Sequence, residues 1–499
     1  MCRKLPAPRR EAEYHDGHAI APRAMPPVQF DENTIGKLSM SGPRYTSYPT
    51  ADRFTAAFGY GDFLEALAGR TLRGGGRPLS LYLHVPFCDR LCYYCACNKI
   101  VTKDHSKAAV YLGYLKQETA MQGKLFAGMN SVAQLHFGGG TPTYFSDRQM
   151  AELMAHLRRH FAFAPDHEGE YSIEIDPRTV DPQRIRSLRT QGFNRISLGV
   201  QDFDEYVQKA VNRIQPYAET MAVMNAARDA GFRSISVDLI YGLPKQTMQT
   251  MEATLSKIIV ANPDRIALYN YAHMPHLFKP QRRIDEADLP APAAKLDMLA
   301  LCISRLTAAG YIYIGMDHFA KPADDLAVAQ RQGRLHRNFQ GYSTHAETDL
   351  VACGVSAISA VNGTYSQNAK TLDDYYAGLD AGKLPIARGH RLDSDDLLRR
   401  LVIGRLMCNF ELSVSAVSLG MAVPFREYFA PELRELQAFV ADGLVTFEDD
   451  WISVTPKGRL LIRNICMVFD RHLRQARLGI PAVPAVPAGM QPLRYSRTI

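Results

Sequence analysis

The chain has 499 residues and a mass of 55.7 kDa, a length typical of roughly two to four domains or of one large barrel with additions. Hydrophobic residues make up 46% and charged residues 22%, which excludes a collagen, a simple coiled coil and a wholly disordered chain. The net charge of +7 is too small to indicate a nucleic-acid-binding protein. Apolar runs of membrane-spanning length do not occur and charges interrupt the N-terminus, so we expect a cytoplasmic protein with no membrane span.

Residues 1–40 are basic, contain prolines and lack a sustained hydrophobic period, so we predict a weakly ordered arm. Short β-rich runs separated by helical stretches follow this arm. The runs lie at 81–87, 134–140, 171–177, 195–201, 234–242, 265–271 and 311–319. Repeated strand–helix units with nearly continuous apolar strands favour an α/β fold, here a full or partial parallel barrel over residues 41–385.

The helices between these strands have their own start and stop signals. Ser146 with Gln149 predicts a capping box, and Asp181 before Pro182 predicts another helix start. Predicted helix ends are followed by Gly192, Gly231 and Gly310.

Polar residues end or follow the predicted strands. A cysteine-rich loop follows the first strand, a Gly-Gly-Gly-Thr sequence ends the second, and Glu174, Gln201 and Asp238 lie late in the next three. Because the carboxyl ends of parallel barrel strands form one face, we predict the functional site there.

After about residue 385 the alternation stops. Two amphipathic helices, a hairpin turning at Glu448 to Asp450 and a helix from about Pro456 to Arg474 resemble a winged helix. We therefore predict a mainly helical domain over 386–475 and a proline-rich tail over 476–499. Lys457, Arg459 and Arg463 would suit DNA binding, but a helical cap on the barrel fits the low net charge better.

Four of the nine cysteines lie within ten positions in a C-x3-C-x2-C-x-C pattern, namely Cys88, Cys92, Cys95 and Cys97. The odd total and this crowding argue against a disulfide framework and favour a metal or a cluster. Three thiolates can bind an iron–sulfur cluster and leave one iron open to an exogenous chelator. The alternative is one zinc ion held by all four thiolates, although ligation by both Cys95 and Cys97 would be strained.

The C-x3-C-x2-C spacing resembles the signature of the radical S-adenosylmethionine (SAM) enzymes. Over roughly residues 40 to 475 the chain further resembles the oxygen-independent coproporphyrinogen III dehydrogenase family of haem synthesis. The strings that carry this resemblance are YLHVPFC, CNKIVT, HFGGGTPTYF, SIEIDPR, FNRISLGVQDF, VDLIYGLPKQT, GMDHFA, HRNFQGYST, GVSAIS and GRLLIRNICM. The resemblance implies a partial parallel (β/α)6-type barrel with a winged-helix-like C-terminal domain, a 4Fe-4S cluster and two SAM molecules.

The resemblance also implies roles for single residues. Cys88, Cys92 and Cys95 would ligate the cluster, whereas Cys97 would not. The positions that match the cluster-bound SAM are Tyr82, Gly139 and Glu174, where the glycines of Gly138–Gly140 would admit the methionine moiety and the carboxylate would accept from its ammonium group. Positions matching the second SAM are Tyr94, Ala96, Gly140, Thr141, Gln201, Arg213, Asp238, Ala272 and Ile358. The family commonly has glycine in place of Ala96, so we expect a tighter space there.

The reaction implied by the family is the anaerobic oxidative decarboxylation of two propionate side chains of coproporphyrinogen III to vinyl groups, which gives protoporphyrinogen IX. A SAM-derived 5′-deoxyadenosyl radical would abstract hydrogen from the propionate β-carbon, after which carbon dioxide and one electron leave. We expect a flavodoxin- or ferredoxin-type electron donor and a monomer. The substrate's four carboxylates need cations and donors, and the candidates are His318, His336 and Arg337.

Two alternatives remain open from the sequence. A related haem chaperone branch delivers haem without dehydrogenase activity, but it typically has an aromatic residue in place of Cys97 and lacks the Asn338 to Tyr342 string. The other alternative is an iron–sulfur regulator that binds DNA through the C-terminal hairpin, for which salt-sensitive duplex binding is the test.

Overall fold

The computed structural model describes residues 26–38, 40–72, 76–128, 131–421 and 423–477. The strands are β1 Leu79–Val85, β2 Phe87–Cys88, β3 Ile100–Val101, β4 Val132–Gly139, β5 Glu170–Ile175, β6 Arg195–Gln201, β7 Ser234–Tyr241, β8 Arg265–Asn270, β9 Ile312–Gly315, β10 His318–Ala320, β11 His336–Asn338, β12 Gly341–Ser343, β13 Asp349–Cys353, β14 Ile358–Val361, β15 Thr364–Asn368, β16 Ile386–Arg391, β17 Glu411–Ser413, β18 Val445–Glu448 and β19 Trp451–Val454. The helices are α1 Glu32–Leu38, α2 Tyr60–Leu72, α3 Ser106–Leu125, α4 Asp147–His160, α5 Pro182–Thr190, α6 Glu205–Ala210, α7 Tyr217–Asp229, α8 Met248–Ala261, α9 Pro292–Ala308, α10 Asp325–Arg331, α11 Leu372–Asp380, α12 Ser394–Asn409, α13 Val414–Ser418, α14 Phe425–Tyr428, α15 Ala430–Ala441, α16 Ile462–Val468 and α17 Arg471–Arg477. None of the helices within these ranges is both long enough and apolar enough to cross a bilayer.

A twelve-stranded open sheet forms the centre, in the order β16-β15-β14-β13-β1-β4-β5-β6-β7-β8-β10-β9. Strands β1, β4, β5, β6, β7 and β8 run parallel, and each is followed by at least one helix, which confirms the predicted (β/α)6-type partial barrel. The apolar strand residues pack under these helices in one continuous core. The carboxyl ends of the six strands therefore meet on one face.

The predicted strand at 311–319 is wrong as a single element. The chain turns after Gly315, whose φ is +143°, through Met316, whose φ is +51°. Strands β9 and β10 then pair antiparallel, and β10 also pairs antiparallel with β8. His318 thus begins a returning strand and does not end a parallel one. The antiparallel strands β14, β15 and β16, at the other edge of the sheet, were not predicted.

The helix signals are confirmed. Ser146 and Gln149 cap the start of α4 reciprocally, and Asp181 accepts from Arg184 N–H at the start of α5. The predicted stop glycines adopt positive φ, as expected for residues that end a helix in the left-handed conformation, at Gly192, Gly231 and Gly310.

The C-terminal region contains helices α12–α17 and a small sheet in the order β17-β19-β18. The predicted hairpin is confirmed, with Asp449 at its turn. The predicted helix from 456 to 474 is wrong as a continuous element, because α16 ends at Val468 and α17 begins at Arg471. The side chain of Asp470 accepts from the N–H groups of His472 and Leu473 at the start of α17. Strand β16 belongs to the main sheet although it lies beyond residue 385, where we placed the domain boundary.

The basic residues considered for DNA binding contact the N-terminal segment instead. Lys457 Nζ lies 3.0 Å from Asp31 Oδ2, Arg459 Nη1 donates to Pro26 O at 2.7 Å, and Arg463 Nε donates to Pro43 O at 2.9 Å. Helix α1 shows that part of the arm predicted as weakly ordered is regular structure. The rest of that arm, residues 1–25, and the tail from 478 onward lie outside the described residues.

Candidate active site at the carboxyl face of the sheet

The loop that carries the cysteines begins where β1 ends. After β4, Thr141 N–H donates to Phe87 O at 2.9 Å, and after β3, Thr102 N–H donates to Cys88 O at 3.0 Å. These bonds hold the loop between two strand ends. The cysteines therefore lie on the carboxyl face, as predicted from the strand pattern.

Two arginines face the sulfur of Cys92. Arg178 Nη2 and Arg213 Nη1 each lie 3.5 Å from Cys92 Sγ, and both bind the carboxylate of Asp176. Burial raises the pKa of Asp176, but the charges of Arg213 and Arg178 outweigh burial and lower it to about 2. Donors to cysteine sulfur are one of the ways in which a protein stabilises and tunes an iron–sulfur cluster, so this environment suits a cluster ligand.

The other thiols of the loop differ in their surroundings. Cys88 Sγ lies 3.8 Å from Thr141 Oγ1, and burial raises the pKa of Cys88 to about 12. A hydrogen bond from the Cys97 thiol, opposed by burial and helped by Lys99, lowers the pKa of Cys95 to about 5. Cys97 therefore favours the thiolate of Cys95.

The loop does not form a site for one metal ion. Within the described ranges, no group of three or more His, Cys, Asp or Glu side chains is arranged to hold a single ion. Zinc needs its ligands around one centre, whereas the thiolates of a four-iron cluster bind different irons. The described residues therefore give no support to the single-zinc alternative.

The glycines that end β4 allow close packing of the cysteine loop. A Cβ at Gly139 would lie 2.7 Å from the ring of His84, and one at Gly140 would lie 2.7 Å from the carbonyl oxygen of Phe87. Gly139 also has a φ of +120°, which side chains other than glycine rarely adopt. These glycines therefore allow the cysteine loop to pack against the end of β4. The sequence predicts a second role for them, which is to let the methionine moiety of SAM approach the backbone.

Glu174 lies late in β5 beside the end of β4. Its carboxylate accepts from Gly139 N–H at 3.2 Å and lies 3.2 Å from Nε2 of His136, while 46% of the side chain remains exposed. Burial raises the pKa of Glu174, but the hydrogen bonds from His136 and Gly139 hold it below its usual range. The ring of His136 stacks on Tyr82 with centroids 5.8 Å apart. The structure thus brings Tyr82, Gly139 and Glu174 together and leaves an ionised acceptor for an ammonium group.

Arg213 and Gln201, predicted for the second SAM, are neighbours. Arg213 Nη2 donates to Gly199 O at 2.6 Å, and a Cβ at Gly199 would lie 2.9 Å from Gln201 Nε2 and 3.0 Å from Arg213 Nη2. The lack of a Cβ atom at Gly199 therefore leaves room for the side chains of Gln201 and Arg213.

Asp238, on β7, is the acidic member of the predicted second site. Ser197 Oγ donates to Asp238 Oδ1 at 3.4 Å. Burial and then the charge of Glu174 raise the pKa of Asp238 to about 7. The carboxylate is therefore close to its titration midpoint at neutral pH, when no ligand is bound.

Gln281 joins two further residues of the predicted second site. Its Nε2 donates to Tyr94 O at 3.1 Å and to Ala272 O at 3.2 Å, which ties the cysteine loop to the end of β8. Ala272 lines a cavity of about 670 Å³, and Ser41 and Arg44 of the N-terminal segment line it as well. A molecule bound beside Ala272 would therefore contact the segment before the barrel.

The last two residues of the predicted second site are Ala96 and Ile358. Ala96 is exposed in the cysteine loop. Ile358 begins β14 and packs against a cluster that includes Phe54 and Tyr365. In the sheet order, β14 lies on the opposite side of β1 from the strand that carries Gln201.

Two of the predicted substrate-binding residues contact Tyr342. The ring centroids of His318 and Tyr342 are 5.2 Å apart, and Arg337 Cζ lies 4.7 Å from the centroid of the Tyr342 ring. Nε and Nη1 of Arg337 and Nδ1 of His318 have no hydrogen-bond partner among the described residues. Burial lowers the pKa of His318 to about 3 and that of His336 to about 4, so both rings are neutral at pH 7. Of the three candidates, Arg337 alone supplies a positive charge.

Arg337 and His336 also line a cavity of about 500 Å³ between the β11–β12 hairpin and α12. The other arginines that line this cavity are Arg77, Arg334, Arg400 and Arg405. Its two acidic residues are Glu347 and Asp349, of which Asp349 is held in a buried ion pair with Arg70. The excess of positive charge suits a ligand that carries several carboxylates.

Comparisons with known proteins give the chain its family. The Radical SAM superfamily model matches residues 82–258, and the HemN C-terminal domain model matches residues 392–461. The oxygen-independent coproporphyrinogen III oxidase of Pseudomonas aeruginosa is 51% identical over 446 residues, which cover 89% of this chain and 96% of the relative. The chain belongs to the oxygen-independent coproporphyrinogen III oxidase family.

Further members of this family agree. The Escherichia coli protein of the same name is 51% identical over 448 residues, which cover 90% of this chain and 96% of the relative. A solved structure, described as coproporphyrinogen III oxidase (HemN) from Escherichia coli and as a radical SAM enzyme, superposes with a TM-score of 0.85 and 49% identity over 89% of this chain and 99% of that chain. As a radical SAM protein, the chain uses a 4Fe-4S cluster and SAM.

The sequence interpretation missed several residues of this oxidase-family site. Asp176 and Arg178 follow Glu174 in the SIEIDPR string. Their charges after a strand end were the available signal, but the contact of Arg178 with a cysteine was not predicted from the sequence. His136 lies two residues before Gly138 on the same face of β4, a period-2 signal that was overlooked. Gln281 lies in a short 3-10 helix, Lys279–Arg283, and no local pattern marks it.

Proposed function

We propose that this chain catalyses the anaerobic oxidative decarboxylation of coproporphyrinogen III to protoporphyrinogen IX, in which two propionates become vinyl groups. The observation that carries the proposal is the three-cysteine loop fixed beside Gly139 and Glu174 on the carboxyl face, in a chain 51% identical to named oxidases. None of the relatives reported above supports the haem chaperone alternative.

Cys88, Cys92 and Cys95 would hold the cluster, and Arg178 and Arg213 would donate to the Cys92 sulfur. When bound, the cluster and SAM supply the 5′-deoxyadenosyl radical that removes hydrogen from the propionate β-carbon. The packing of β4 against the loop excludes water from the side of Phe87.

For SAM, we assign Glu174 as the acceptor of the ammonium group and the main chain of Gly139 as its neighbour, since both face the space beside Tyr82. A second SAM would lie between Tyr94 and Ala272, with Arg213 near its carboxylate and Asp238 near its ribose hydroxyl groups. The supporting observations are the Gln281 bridge and the cavity at Ala272.

For the substrate, we assign Arg337 as a donor to a propionate carboxylate. Two of its nitrogen atoms are buried without a partner among the described residues, and buried donors normally have one. His318 would donate or accept as a neutral ring, because burial holds its pKa at about 3. The arginine-lined cavity beside Arg337 would receive the remaining carboxylates.

The deciding experiment is an anaerobic assay of the reconstituted protein with a reductant, SAM and coproporphyrinogen III. We expect protoporphyrinogen IX and two molecules of carbon dioxide per substrate, measured by chromatography after oxidation to the porphyrin. Stoichiometric haem binding without any vinyl product would instead establish the chaperone alternative. We expect a flavodoxin- or ferredoxin-type protein to replace the chemical reductant, and a monomer in sedimentation.

A further inference from the structure

A cleft on the outer side of the cysteine loop leads to one cluster ligand. It has a volume of about 720 Å³, and its wall includes Cys88 but neither Cys92 nor Cys95. Arg178, which also lines the cleft, lies 3.5 Å from the sulfur of Cys92. Tyr82, Gly139 and Glu174, the positions matched to the cluster-bound SAM, are not among the residues that line the cleft.

The cleft carries positive charge at its rim. Four cationic side chains line it against two carboxylates. The inner cations are paired, since Arg178 binds Asp176 and Arg184 lies 3.1 Å from Asp147. Arg90 and Lys103 are exposed and form no ion pair with any residue in the described ranges. These two charges are thus available to a partner.

An aromatic stack connects this rim with the cysteine loop. The ring of His105, whose side chain is 58% exposed, lies on Tyr144 with centroids 4.2 Å apart and planes 8° apart. Tyr144 in turn stacks on Phe87 at 5.1 Å, and Phe87 directly precedes Cys88. The buried rings of Tyr144 and Phe87 therefore connect the exposed ring of His105 with the residue before Cys88.

We propose that this cleft is the docking site of a small acidic protein that delivers single electrons, with Arg90 and Lys103 as its charge contacts. The proposal rests on the proposed function, which requires a reduced cluster. In the transfer, one electron leaves the reduced carrier and enters the cluster, and no atom moves with it. A small, charged contact area fits this role because electron-transfer encounters bury little surface and are steered by charge.

The test is binding of a bacterial flavodoxin to the anaerobic holoenzyme, followed by fluorescence anisotropy between low and high salt. Arg90→Glu and Lys103→Glu should each weaken binding about 30-fold at low salt, because each reversal replaces about 1 kcal/mol of attraction in water by about 1 kcal/mol of repulsion. The difference should shrink as salt screens the charges. The matched control is Arg434→Glu, the same reversal at an exposed arginine of α15, and it should leave the affinity within about twofold.

The proposal is overturned if flavodoxin does not bind at low salt, if both rim variants bind as the unchanged protein does, or if the α15 control loses as much affinity. Dithionite reduces the cluster without docking, so the ratio of flavodoxin-driven to dithionite-driven turnover isolates the contact. Absence of turnover with dithionite would contradict the proposed function and leave the binding result to decide the docking site.

Discussion

Replacement of Glu174 by Gln tests the assignment of the SAM acceptor most directly. The carboxylate already accepts from Gly139 N–H at 3.2 Å and is 46% exposed, so it has capacity for a further donor. A hydrogen bond to a charged group contributes about 1.5–3 kcal/mol. Since each 1.36 kcal/mol changes an equilibrium tenfold, we expect Glu174→Gln to weaken SAM binding about 10- to 150-fold. The substitution also removes the negative charge that helps to raise the pKa of Asp238.

The assay is isothermal titration of SAM into the anaerobically reconstituted protein, with iron content measured on the same sample. The matched control is Glu152→Gln on α4, where the carboxylate pairs with Lys116 on the outer surface and such pairs contribute little. Unchanged SAM affinity in Glu174→Gln would refute the assignment. Loss of iron in that variant would show instead that Glu174 supports the cysteine loop.

Three further predictions concern the cluster, the second SAM and the substrate. Cys92→Ala should prevent assembly of the cluster whereas Cys97→Ala should retain it, which iron and sulfide analysis will show, and equal losses would argue for four ligands. The pKa of Asp238 is about 7, so its carboxyl group is mostly protonated at pH 6 and mostly ionised at pH 8. Because the ionised carboxylate is the form that accepts from the ribose hydroxyl groups, the second SAM should bind about tenfold more weakly at pH 6 than at pH 8. The affinity of Asp238→Asn for SAM, measured by titration, should not depend on pH in this range. An affinity of the unchanged protein that is equal at pH 6 and pH 8 would contradict this role of Asp238. Arg337→Ala should weaken coproporphyrinogen binding about tenfold or more and spare SAM cleavage, while Arg331→Ala, which loses only a contact with a surface carbonyl, should not.

The six strands β1, β4, β5, β6, β7 and β8 were predictable because their information is local. Each of these six strands is a short apolar run between helix signals, and the polar residues that end those runs indicated the active face before any contact was known. The seventh parallel strand, β13, which pairs with β1, was not predicted. The prediction of one strand over 311–319 was wrong because of a backbone turn within this segment. Gly315 and Met316 both adopt positive φ, and nothing in the alternation of apolar residues reveals a turn that interrupts it.

The contacts of the site were less predictable than its position. Arg178 and Arg213 lie 35 residues apart and meet at one sulfur and one carboxylate only because β5 and β6 are adjacent. The neutral state of His318 likewise follows from burial, which a single sequence does not show. Residue types were therefore sufficient to find the site, whereas charge states and pairings required the folded chain.

The C-terminal region influences the site through the N-terminal segment. Arg463 donates to the carbonyl oxygens of Gly42 and Pro43, and Asn464 Nδ2 donates to that of Leu38 at 2.7 Å. Carbonyl groups of an extended segment outside the main sheet need such partners, because burial without them is unfavourable. Arg44, next in the same segment, pairs with Asp317 in the β9–β10 turn and lines the cavity at Ala272. Basic residues that looked suited to DNA therefore hold the segment that forms one wall of the cavity assigned to SAM.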